Sequence, residues 1–116
     1  MGGIKPAGPV RAGTYIPEQF EFALESGEKI WVDKNASKHL AEYAISKLKD
    51  KDTWPEAARL ASQIQLGSLR SAVDMASKNG IKYRQMIKID GWELVFAPPK
   101  SAEQFPTLYH ALFRGK

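Results

Sequence analysis

Apolar positions in this chain follow two different periods, and the change falls at Asn79-Gly80. Before it, Leu40, Tyr43, Ala44 and Leu48 recur at i, i+3, i+4 and i+8, the stripe of an amphipathic helix with Asn35 as its cap. Lys47, Lys49 and Lys51 suit the negative pole at the end of that helix. Thr53-Trp54-Pro55-Glu56 opens a second, shorter helix, with Pro55 in the first turn. The pattern alternates around Ile64 and Leu66, so an extended stretch is expected there. Ser68 then caps a third helix with a stripe of Leu69, Ala72, Val73 and Ala76, stopped by Asn79-Gly80. From Ile81 onward alternate positions are apolar. Ile81 to Ile89 reads as a strand, Asp90-Gly91 as a tight hairpin, and Trp92, Leu94 and Phe96 as the inward positions of the return strand. After Pro98-Pro99 a loop through Pro106 leads to a last strand, Thr107 to Phe113.

The opening of the chain is less regular. Met1 to Gly13 is rich in Gly, Pro and Ala and reads as a linker or flexible start to a single domain over 14–116. Pro17 to Leu24 reads as a short helix, because Phe20 and Leu24 stand at i,i+4, and Glu28 to Val32 as a brief strand. Helices followed by an antiparallel meander give an α+β domain, with N-terminal helices packed on a C-terminal antiparallel sheet.

Composition narrows the chemistry. The 116 residues, 43% of them hydrophobic, suffice for one core. No cysteine is present, which removes disulfides, zinc–thiolate sites and thiol nucleophiles together. Two histidines are too few for most His-rich metal sites, so no cofactor or metal is expected, although a carboxylate-held magnesium stays open. No apolar run approaches the roughly 20 residues of a membrane span, and the N-terminus lacks the apolar stretch of a signal peptide. The phosphate loop, dinucleotide fingerprint, nucleophile elbow and zinc-helix motifs are all absent.

The net charge is +4, and residues 81–116 carry six lysines and arginines against three acids. A basic surface suits a polyanion, because phosphates neutralised by cations release counterions; the same charge also serves solubility alone. Arg70, Arg84, Arg114 and Lys34 are candidate phosphate contacts. Trp31 is out of phase with Ile30 and Val32, and is the aromatic best placed to stack a base. Trp92, in phase with Leu94 and Phe96, belongs to the core.

The two histidines are the candidate proton-transfer groups, since histidine titrates near neutrality. His39 stands early in the first strong helix with Lys38 and Glu42 beside it. Its alternative role is a boundary residue that packs its ring. His110 stands on the last strand next to Tyr109, and strict alternation groups it with Leu108 and Leu112. Its alternative role is a satisfied core histidine. If both act on one phosphate, their rings should lie within roughly 5–8 Å in one cleft.

The segments KIWVDKNASKHLAEYA (29–44), GWELVFAPP (91–99) and LYHALF (108–113) resemble the small C-terminal toxin domains of bacterial polymorphic toxins, including those of contact-dependent growth inhibition systems. Many such domains are metal-independent ribonucleases of the barnase/EndoU/colicin/RelE type. The resemblance implies cleavage of RNA, tRNA among the candidates, by 2′-hydroxyl attack. It implies an acidic cognate immunity protein, delivery as part of a larger secreted or surface toxin, and action in the cytoplasm of a target bacterium as a monomer. It carries over only His39 and His110 as histidines and Lys34 and Lys38 as cations. The candidate catalytic set read from the residues is His39, His110, Lys38, Glu42 and Tyr109, with Lys34, Arg70, Arg84, Arg114 and Trp31 as candidate substrate contacts. Glu93 is the only acid well inside a predicted strand, so which group is acid and which is base stays open. A non-enzymatic RNA- or protein-binding module, an immunity or adaptor protein, and a toxin acting on a nucleotide are the rival readings.

Overall fold

A computed structural model describes residues 4–11, 14–24, 27–46, 55–99 and 105–115. Three strands come first: β1 (Ile4–Pro6), β2 (Phe20–Ala23) and β3 (Lys29–Val32). Two helices follow, α1 (Lys34–Ser46) and α2 (Pro55–Lys78), and then β4 (Ile87–Ile89), β5 (Trp92–Ala97) and β6 (Thr107–Phe113). The strands form one sheet in the order β1-β2-β3-β6-β5-β4. Neighbours are antiparallel except β3 and β6, which run parallel. The fold is α+β as expected, but the helices do not precede the whole sheet, and the sheet is mixed. The chain leaves β3 through both helices and returns on β6, a crossover that makes that one pair parallel.

The N-terminal expectations need correction. Residues 17–24 contain a strand, because Phe20, Phe22 and Leu24 also alternate and all three are buried. Period two prevails over the i,i+4 pair since β1 and β3 offer backbone partners on both sides. Ile4–Pro6, expected within a linker, is the edge strand β1. Arg11 also ties this segment down, its guanidinium donating to Ser37 Oγ at 3.0 Å and to the Lys34 carbonyl at 2.8 Å.

The cap of α1 is Asp33, not Asn35. Asp33 Oδ1 accepts from the backbone N–H groups of Asn35 and Ala36 at 3.0 and 3.1 Å, so the helix opens with Lys34 inside it. Residues 55–78 form one continuous helix where two were expected. Leu66, Leu69, Val73 and Ala76 keep a helical stripe buried across Gly67, and this packing outweighs the roughly 1 kcal/mol that an interior glycine costs. Ser68 is inside α2, where its hydroxyl accepts from Trp92 Nε1 at 3.0 Å. Leu48, the terminal lysines of the first helix, Thr53, Trp54 and Lys100 lie outside the described residues.

The C-terminal half follows the pattern more closely. Asp90 (φ 54°) and Gly91 (φ 87°) make a left-handed two-residue turn between β4 and β5. The strand expected over 81–89 is confined to Ile87–Ile89, because Arg84 has φ 61° and interrupts the extended run. Only an isolated bridge joins Tyr83 to Phe96 before it.

One face of the sheet is covered by the helices. Phe20, Phe22, Ile30, Val32, Leu94, Phe96, Leu108 and Ala111 are buried there against Ala36, Leu40 and Ala44 of α1 and the stripe of α2. Trp92 joins them at 1% exposure, as its phase predicts. The opposite face carries Glu21, Trp31, Glu93, Val95, His110 and Leu112, all only partly buried.

Candidate active site

A β-bulge decides where His110 points. Phe96 pairs with Leu108 and Val95 with His110, so Tyr109 is the extra residue on β6. The bulge inverts the phase beyond it. Leu108 and Ala111 therefore share the core, while His110 and Leu112 turn to the open face. Strict alternation groups His110 with Leu108, and one inserted residue separates them.

Helix α1 brings the second histidine to the same place. Strand β3 ends at Val32, opposite Leu108, whereas β6 continues to Phe113. Beyond that register the edge of β6 is covered by α1. The Asn35 side chain donates to the Tyr109 carbonyl at 2.9 Å, and Tyr43 sets its ring edge-on to Phe113 at 5.3 Å. His39, one turn before Tyr43, then meets His110. Their ring centroids lie 5.7 Å apart with the planes at 71°. Residues 71 positions apart in sequence thus stand within the spacing expected of two groups serving one phosphate.

Each ring has a carboxylate behind it. His39 Nδ1 is 3.3 Å from Glu42 Oε1, one helical turn away on the exposed side. His110 Nε2 is buried and lies 3.7 Å from Glu93 Oε1, an ion-pair distance too long for a hydrogen bond. The other Glu93 oxygen accepts from Arg114 Nε at 3.3 Å. Glu93 occupies the β5 position opposite Leu112, on the open face that His110 shares. It also lines a cleft of about 470 Å³ between the β4–β5 turn and the C-terminal segment, with Lys88, Asp90, Gly91 and Arg114. Side-chain exposure is 32% for His39, 23% for His110 and 17% for Glu93, so both rings reach solvent while the carboxylate is mostly covered.

The remaining candidates separate. Lys34 and Lys38 are exposed on the first turns of α1, on the helix that carries His39. Arg114 touches the cluster through Glu93. Trp31 is half-buried on the same open face, opposite Thr107 in the parallel pair. Tyr109 is tied to α1 through its carbonyl, and among the described residues no hydrogen bond or ring stacking joins its side chain to the histidines. Arg70 belongs to α2, on the covered side of the sheet. Arg84 is fixed to the Phe96 end of β5, its N–H donating to the Phe96 carbonyl at 2.8 Å, whereas Arg114 is fixed to the Gly91 end. Arg70 and Arg84 are thus not brought to the pair, whereas Arg114 reaches it through Glu93. Glu93 is the site member that reading by motif passed over, and its signal was being the lone acid inside an apolar strand.

Among the described residues no group of three His, Asp or Glu side chains is arranged to hold a metal ion. None of their helices is long and apolar enough to cross a membrane. The chain matches no family model and no curated protein.

Proposed function

We propose that this chain is an endoribonuclease that cleaves RNA by attack of a 2′-hydroxyl on the adjacent phosphate. The observation that carries the reading is the meeting of His39 and His110, the only histidines of the chain, at 5.7 Å on an open face. One ring takes the hydroxyl proton as the other protonates the departing 5′ oxygen. Lys34, Lys38 and Arg114 supply positive charge for the phosphoryl oxygens, and a cation aimed at developing charge lowers the barrier. The substrate brings its own nucleophile, so the two proton transfers need no further group. DNA lacks that hydroxyl and should be left intact. The resemblance to polymorphic toxin domains extends the proposal to a growth-inhibiting toxin that acts in the cytoplasm of a target bacterium and is held by an acidic immunity protein.

The experiment is incubation of the purified chain with total RNA and with a defined oligonucleotide, with and without EDTA. Fragments ending in a 2′,3′-cyclic phosphate, formed in both conditions and lost on replacing either histidine, are the expected result. RNA that is bound but stays whole would overturn the enzyme reading and leave a binding module built on the same face.

A further inference from the structure

Glu93 does more than back one histidine. Its two oxygens face two different nitrogens, His110 Nε2 at 3.7 Å and Arg114 Nε at 3.3 Å, and the carboxylate is mostly covered. The Arg114 side chain is 66% exposed, and its backbone N–H is anchored to the Gly91 carbonyl at 2.8 Å. A solvent-exposed guanidinium on a fixed base, beside the cleft, is therefore paired to a carboxylate that a buried imidazole nitrogen also faces. Among the described residues that nitrogen has no hydrogen-bond partner. A buried polar atom left unpaired is costly, so a change that gives His110 the whole of Glu93 is favoured.

We propose that Glu93 is a positioning residue that couples occupation of Arg114 by a phosphate-like oxyanion to protonation of His110. An anion that pairs with Arg114 neutralises the guanidinium and frees the carboxylate. Both effects make the field at Nε2 more negative, and an imidazole in a more negative field holds a proton more firmly. The groups facing His110 are consistent with this direction. From α1 comes His39, whose Nδ1 is met by Glu42; on the same helix Lys38 is exposed and Tyr43 meets Phe113. From β5 comes Glu93, and beyond β6 comes Arg114. Glu93 is the one carboxylate among them that contacts His110 directly. The inference rests on the ribonuclease reading for its purpose, since it would charge the general acid only when a phosphate is in place. It makes its own claim about the protein without RNA.

The test uses sulfate as the probe, because it carries its charge unchanged across neutral pH. The His110 Cε1 proton is followed by NMR at a fixed pH near neutrality as sulfate is added, sodium chloride matching the ionic strength in the reference series. In the unaltered chain the resonance should move toward the imidazolium position, the ratio of protonated to neutral ring rising about two- to tenfold. Glu93→Gln should leave only the small part of that response that the neutralised guanidinium produces by itself, while amide spectra show the fold intact. In Arg114→Gln the resonance should start nearer the imidazolium position and respond little to sulfate. A full response surviving in Glu93→Gln would mean that the anion acts on the ring directly and would overturn the coupling. No response in the unaltered chain at a sulfate concentration that shifts the Arg114 side-chain signal would also overturn it. Cleavage of RNA without the sulfate response removes the coupling and leaves the enzyme reading standing. The sulfate response without cleavage does the reverse.

Discussion

Replacing His110 with Ala separates a working histidine from a structural one, and the structure sets the size of both effects. The ring is 23% exposed on the open face, its Nε2 has no hydrogen-bond partner among the described residues, and it meets the ring of His39, itself 32% exposed. Truncation leaves no filled cavity of the kind that makes a buried Leu→Ala cost about 2–5 kcal/mol. It deletes a ring contact of about 0.5–1.5 kcal/mol and also removes an unpaired buried nitrogen, and these two changes oppose each other. Glu93 keeps Arg114 as a partner. The net loss should be about 1 kcal/mol or less, which for a domain near this size is a fall in Tm of roughly 4–8 °C at most. Cleavage, in contrast, should drop by about 10²–10⁴-fold, the usual contribution of a general acid or base. Thermal unfolding and a timed RNA-cleavage gel on the same preparation give both numbers. A loss of about 3 kcal/mol or more with cleavage kept under folding conditions would refute the reasoning and return His110 to the core.

Three further outcomes follow from other parts of the molecule. Gly91→Ala should lower stability by more than about 1 kcal/mol, because the residue has φ 87° and a Cβ there would sit 2.9 Å from the Phe113 ring and 3.0 Å from the Gly115 backbone; chemical denaturation measures it. Asp33→Ala removes the acceptor for two first-turn N–H groups of α1 and should cost about 1 kcal/mol, with Asp33→Ser recovering much of it in the same assay. RNA affinity, read by fluorescence anisotropy with a catalytically silent His110→Ala chain, should fall steeply with salt, and Lys34→Ala or Lys38→Ala should each flatten the log–log slope by about 1. A flat salt dependence would argue against a polyanion partner.

How much of this was legible in the sequence depends on the range of the force involved. Local pattern fixes what neighbours in the chain decide. The β5 and β6 boundaries, the Asp90-Gly91 turn, the Leu40 and Ala44 positions of the α1 stripe and the burial of Trp92 all follow from period, turn chemistry and phase, and the structure agrees with each. The pairing of two remote histidines could be posed as a distance to check, since composition leaves just two, but not read off. What only tertiary structure decided is of another kind. Phe20, Phe22 and Leu24 satisfy both periods, and strands on either side choose between them. Ile64 and Leu66 resemble a break until the packed stripe of α2 runs through it. A single extra residue in β6, invisible to any count of alternation, turns His110 out of the core and toward Glu93. The edge of β6 left open where β3 stops is then covered by α1, which delivers His39. Hydrophobic period is a property of a segment, whereas register, bulges and edge coverage arise from backbone hydrogen bonds between segments, and these exist only once the chain has folded.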